Sequence, residues 1–201
     1  MFSGAQFSIY PMSSDFIPAI MRGIAAIDGY GDRVRRETDE LSTLIVGPPD
    51  TIVHALRDAF VAVAKPGGHV VLSATLSRGC PGESDDPICA APSFGPPASD
   101  SDLVADALRK FHAVPASGVA CAAQISLYPL GTEAHMARIG ACIDFLKAAG
   151  VYDRSKNFCS KLRGDAGSVF AAIERAFLDF VPASAHVVLA VTISAGSPTK
   201  S

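Results

Sequence analysis

Tryptophan is absent from the 201 residues, and charged side chains make up only 18% of them. The formal net charge is −3, and Arg33, Arg35 and Arg36 form the one local group of basic residues. A nucleic-acid surface, which needs concentrated Lys and Arg, is therefore not expected. No stretch approaches the ~18 consecutive apolar residues of a membrane-spanning helix. Strand-like sequence begins within a few residues of Met1, which leaves no room for a secretory leader, so an intracellular, soluble protein is expected. The five cysteines (Cys80, Cys89, Cys121, Cys142 and Cys159) are scattered, with no C-x-x-C and no histidine at zinc-finger spacing. They read as reduced thiols packed as small apolar groups, and neither a disulfide frame, a metal nor a cofactor is called for.

Catalytic signatures are missing as well. The chain has no G-x-S-x-G, Walker loop, G-x-G-x-x-G or H-E-x-x-H. His54, His112 and His135 read as surface histidines. A Cys80 nucleophile is disfavoured, because Ser197 stands at the matching position of a second copy and no basic partner is evident. The expectation is a protein that is not an enzyme.

What is present is a duplication. The segment AQFSIYP (5–11) returns as AQISLYP (123–129), and HVVLSATLS (69–77) returns as HVVLAVTIS (186–194). Gln6 and Gln124 are 118 residues apart, His69 and His186 117. Internal repeats set the architecture, so they are read first. After the first strand, Ile17, Ile20, Ile24 and Ile27 recur at helical spacing, as do Met136, Ile139, Ile143 and Leu146. Both stripes are expected to be buried, with Gly31 and Gly150 as helix stops. A second helix carries Val53, Leu56, Phe60 and Val63 in one copy and Phe170, Ile173, Phe177 and Phe180 in the other.

The alternating stretches 33–47 and 152–164 between the helices fit strand, polar turn and strand. Each unit reads βαββαβ, the ferredoxin-like arrangement, so the fold class is α+β: tandem duplicated ferredoxin-like units with antiparallel sheets. The expected layout is a first repeat over 1–78, a Pro-rich linker and short helix over 79–117, and a second repeat over 118–201. Within the join, five prolines and four acids from 78 to 101 argue against regular structure, and 102–113 reads as the helix.

Strand alternation places Gln6, Ser8 and Tyr10 opposite Phe7 and Ile9, and His69, Ser73 and Thr75 opposite Val70, Leu72 and Ala74. The second copy places Gln124, Ser126, Tyr128, His186 and Thr192 likewise. The apolar set must meet the helices. The polar set is expected to line the uncovered face and to cradle a small heteroaromatic ring there through amide, hydroxyl and aromatic contacts. Thr43 and Ser160 match across the repeats, and Asp15 and Glu133 each lie five residues beyond the tyrosine of their strand. Ser73 against Ala190, and Ser42 against Cys159, lead us to expect two sites of unequal affinity.

At QFSIYPM, STLIVG, HVVLSATLSRGCPGE and the duplicated layout, the chain resembles the YkoF family of thiamin- and hydroxymethylpyrimidine-binding proteins. The resemblance implies a non-catalytic, cytoplasmic binding protein in uptake or salvage of thiamin or its pyrimidine, linked to a membrane transporter, with a site in each repeat. Thiamin has a thiazolium cation, and for such a ligand the resemblance makes Asp15 and Glu133 candidate partners of the cation and lets Thr43 and Ser160 add a hydroxyl each. A homodimer is expected from analogy with other ferredoxin-like units. Two alternatives remain open at this point: a regulatory module of the amino-acid-sensing, ACT-like type, and a small ferredoxin-like barrel enzyme.

Overall fold

The computed structural model describes residues 2–80, 103–111, 114–182 and 185–199. The first repeat contains β1 (Phe2–Pro11), α1 (Phe16–Asp28), β2 (Arg35–Thr38), β3 (Thr43–Val46), α2 (Pro49–Ala64) and β4 (Val70–Cys80). Helix α3 (Leu103–Phe111) precedes the second repeat. That repeat contains β5 (Ala120–Leu130), α4 (His135–Ala148), β6 (Tyr152–Lys156), β7 (Cys159–Asp165), α5 (Ala166–Leu178) and β8 (His186–Ala195). The duplicated βαββαβ order is as the sequence predicts. Cys89 and His112 lie outside the described residues, as does most of the Pro-rich join.

The two units do not keep separate sheets. Their strands form one eight-stranded antiparallel sheet in the order β2-β3-β1-β4-β8-β5-β7-β6. The seam is β4 against β8, running from Val70 opposite Ala195 to Arg78 opposite Val187. Alternate residues of the central strands, such as Ala5, Leu72, Leu76, Ile125, Leu189 and Ile193, are buried in a core shared with the helices. The helices cover one face of the sheet only, and the other stays open.

Local chemistry fixes the helix ends. Pro48 and Pro49 open α2, where a missing N–H costs nothing. Asp165 caps α5 by accepting from the Gly167 N–H at 2.7 Å, and it also holds the Ser117 and Gly118 amides. At the other end of α5, Arg78 of β4 donates to the carbonyls of Phe177 (2.8 Å) and Val181 (2.6 Å), with longer contacts to Leu178 and Pro182. The Phe177 and Leu178 carbonyls belong to the helix terminus, which lacks internal donors, and those of Val181 and Pro182 to the segment just beyond it. Burial lowers the guanidinium pKa to about 10, which leaves it charged at neutral pH. Through this anchor Arg78 ties β4, which runs to Cys80, to the end of α5.

Across the seam α2 packs on α5. The Phe60 and Phe170 rings lie 5.8 Å apart, and His54 Nε2 sits 3.0 Å from the buried Glu174 carboxylate. His54 is therefore a contact between repeats, made at the surface, since its side chain stays 39% exposed. Phe180 is fully buried but lies beyond the end of α5, stacked at 5.4 Å on Phe145. Helix α3 docks here through Phe111, 6.0 Å from Phe145.

The seam also requires glycine at its two ends. Gly79 (φ +78°) passes Ala185, whose carbonyl oxygen would lie 2.7 Å from a Cβ, and Gly196 (φ +64°) passes the Gly68 carbonyl even more closely. Gly118 has a similar φ of +78° but nothing within 4 Å of a Cβ position. Gly118→Ala should thus cost only the backbone term, about 1–2 kcal/mol. Gly196→Ala should cost at least about twice that, measured by urea denaturation, because the backbone at Gly68 must move. Equal losses would show that φ alone decides.

Candidate functional site

The apolar stripe of α1 is not fully buried. Ile27 is, but Ile20 and Ile24 are half-buried and Ile17 is 62% exposed; Met136 at the start of the α4 stripe is 67% exposed. The reason is a cleft between this helix and the sheet. In the first repeat it is walled by Ile20, Gly23, Ile24 and Ile27 of α1, by residues 7–10 of β1, and by the β2–β3 turn at 38–43. In the second repeat the matching walls are Ile139, Cys142, Ile143 and Leu146 of α4, residues 125–128 of β5, and the turn at 155–160. The volumes are about 280 and 320 Å³. The clefts correspond residue for residue.

Strand pairing opens each cleft. β1 pairs with β3 only as far as Phe7 opposite Thr43, yet continues along β4 to Pro11 opposite Val70. In the second repeat β5 leaves β7 at Ile125 opposite Ser160 and follows β8 to Leu130 opposite His186. Beyond those points, among the described residues, one edge of β1 and of β5 has no strand beside it. Its main-chain donors and acceptors face the cleft side, where a ligand can pair with them.

The turn is held above this edge by side chains repeated in both copies. Ser8 Oγ donates to the Leu41 carbonyl at 2.8 Å, and Ser126 Oγ to the Phe158 carbonyl at 2.9 Å. Gln6 Nε2 donates to Ser42 Oγ at 2.5 Å, whereas Gln124 Oε1 accepts from Lys156 Nζ at 3.4 Å and faces the Cys159 thiol at 3.9 Å. In the first repeat Asp39 accepts the Leu41 and Ser42 amides, each at 2.8 Å, and these bonds hold its carboxyl below its ordinary pKa. Leu41 and Phe158 at the tips are 78% and 90% exposed, and Tyr10 and Tyr128 stand half-exposed at the mouths.

The clefts lie on the helix side of the sheet, so the geometry differs from the expected cradle on the open face. Among the candidate residues, Ser8, Tyr10 and Thr43 border the first cleft, and Ser126, Tyr128 and Ser160 the second. Thr43 pairs with Phe7 and thus shares its helix-facing side, with its hydroxyl 3.1 Å from that of Thr38. Ser160 sits opposite Ile125 in the same way. Gln6 and Gln124 project from the other face and border neither cleft; they support the turns.

The candidates on β4 and β8 belong to the seam. His69 Nε2 lies 3.1 Å from Ser194 Oγ, and His186 Nε2 lies 2.9 Å from Ser77 Oγ, a reciprocal clasp between the two copies. Ser73 faces Thr192, and Thr75 faces Ala190, on the same open surface. Asp15 and Glu133 are exposed ahead of α1 and α4 and border neither cleft. The acids at the first cleft are Asp39 and Glu40, which the sequence reading did not single out. An open-face hollow of about 460 Å³ lies at the far end of β5 beside Lys161 and Arg163, and no candidate residue borders it.

Cys142 lines the second cleft where Gly23 lines the first. Burial pushes the Cys142 and Cys121 thiols up to about 12, so both stay protonated at neutral pH. This agrees with their reading as small apolar groups.

The clasp is open to a direct check. A double-mutant cycle on His69→Ala and Ser194→Ala should give a coupling of about 0.5–1.5 kcal/mol in stability, the usual worth of one such bond. Strict additivity would show that the histidine does something else.

Comparison with known proteins adds two findings. A family model described as the YKOF-related Family matches residues 2–83 and 120–200, the two repeats. A Bacillus subtilis (strain 168) protein named "Putative HMP/thiamine-binding protein YkoF" is 29% identical over 198 residues, covering 98% of this chain and 92% of that protein.

Proposed function

Because the chain belongs to the YKOF-related family, we propose that it is a non-catalytic binding protein holding thiamin, or its hydroxymethylpyrimidine portion, in each helix-side cleft. The observation that carries this reading is the duplicated slot itself: apolar walls from one helix and one strand, closed along one side by an unpaired strand edge. A flat heteroaromatic ring needs such a site, with faces buried against aliphatic side chains and ring nitrogens paired in plane. Ile20, Ile24 and Ile27 supply one wall, and the β1 edge with Ser8 and Thr43 supplies the polar side. Tyr10 and Tyr128 at the mouths are placed to stack on a second ring.

The alternatives fit less well. A free amino acid carries an ammonium and a carboxylate and requires a partner for each. Among the described residues, the first cleft is bordered by acids and no base, and the second by a lysine and no acid. For turnover, a nucleophile would need an adjacent base. Ser8 and Ser126 instead donate to turn carbonyls, and among the described residues no histidine borders either cleft.

No helix among the described residues is long and apolar enough to cross a membrane. On this reading the protein works in the cytoplasm in uptake or salvage and passes its ligand to or from a membrane transporter. It also acts as a homodimer. The open face of β1, β4, β8 and β5 carries no Lys, Arg, Asp or Glu and suits cover by a second copy.

Isothermal titration of the full chain with neutral hydroxymethylpyrimidine, thiamin and a set of amino acids tests the assignment. The expected result is two pyrimidine sites per chain, no amino-acid binding, and ligand recovered unchanged. Binding of an amino acid with no response to either pyrimidine would overturn it.

A further inference from the structure

The lining of the two clefts differs in charge at only one place, the turn. Positions 39 and 40 are Asp and Glu in the first repeat, and the matching positions 156 and 157 are Lys and Asn in the second. Every other described side chain bordering either cleft is uncharged. Nothing nearby cancels the difference: among the described residues, no cation pairs with Asp39 or Glu40 and no carboxylate pairs with Lys156. Lys156 reaches only the neutral amide of Gln124.

The walls made by the helix and the β-strand are nearly the same in both copies and select one ring shape. The turns then act on whatever substituent projects from the mouth, through electric fields of opposite sign.

We propose that the two clefts sort the same ring by the charge of its substituent: the first, with Asp39 and Glu40, takes cationic derivatives, and the second, with Lys156, takes anionic derivatives such as a phosphate ester. This rests on the reading of the clefts as ring sites and names the ligand state for each.

The test uses the full chain and three probes that share one ring: neutral hydroxymethylpyrimidine, cationic thiamin and the phosphate ester of hydroxymethylpyrimidine. The variants are Glu40→Lys and Lys156→Glu, both at exposed turn positions; Asp39 is left in place because it builds its turn. Glu40→Lys should weaken the tighter thiamin site about 3–10-fold at low salt and leave the neutral pyrimidine unchanged. Lys156→Glu should weaken the phosphate ester by a similar factor, again sparing the neutral probe. Both effects should shrink as ionic strength rises through about 0.15 M. If the neutral probe fills both clefts while the two variants leave the charged probes unmoved, charge sorting is wrong and the ring reading stands. If the neutral probe binds neither cleft, the ring reading fails and takes this inference with it.

Discussion

The ladder between β4 and β8 joins two small units whose sheets would otherwise each end in a long exposed edge strand. Such edges invite pairing with other chains, and here each copy covers the other's. The pairing brings the backbones close enough to require glycine at both ends of the seam, and aligns His69 with Ser194 and His186 with Ser77. It also sets α2 against α5, where Phe60 meets Phe170 and Glu174 meets His54. Arg78 ties the same seam to the end of α5.

With the seam at the centre, the β2–β3 and β6–β7 hairpins are forced to the two outer edges of the sheet. Each hairpin turns back before its inner neighbour ends, so the last residues of β1 and β5 run on without an outer partner. The missing pairing lies beneath the first helix of the unit, where Ile20 and Ile24, like Ile139 and Ile143, stay only half-buried. Cleft, apolar wall and free strand edge thus share one origin, and the internal symmetry produces them twice at a distance from each other.

The duplicated strands, the βαββαβ order and the helix faces were legible in the sequence because periodicity and repetition report them directly. The position of the site was less so. Repetition of His69, Ser77 and their counterparts marked contact between copies, since each histidine needs a serine supplied by the other repeat. Gln6 and Ser8 recur because both copies must hold a turn over a gap. Pattern reading finds that a residue is kept but not which partner keeps it. Thr43 and Ser160 were singled out for their match, and the register of β3 and β7 turns them toward the clefts. The acids at Asp39 and Glu40 were passed over because alternation does not locate a turn tip. The clearest unused signal was the α1 stripe, which is more apolar at Ile17, Ile20 and Ile24 than its burial explains.

The central claim is that the gap between helix, free strand edge and turn is where a ring sits. A crystal structure of the full chain grown with hydroxymethylpyrimidine examines it most directly. The account predicts density for the ring between α1 and the turn at 38–43, and between α4 and the turn at 155–160, with its edge paired to the backbone of β1 or β5. A ring lying on the open face among Gln6, Thr75, Gln124 and Thr192, with both clefts vacant, would contradict it.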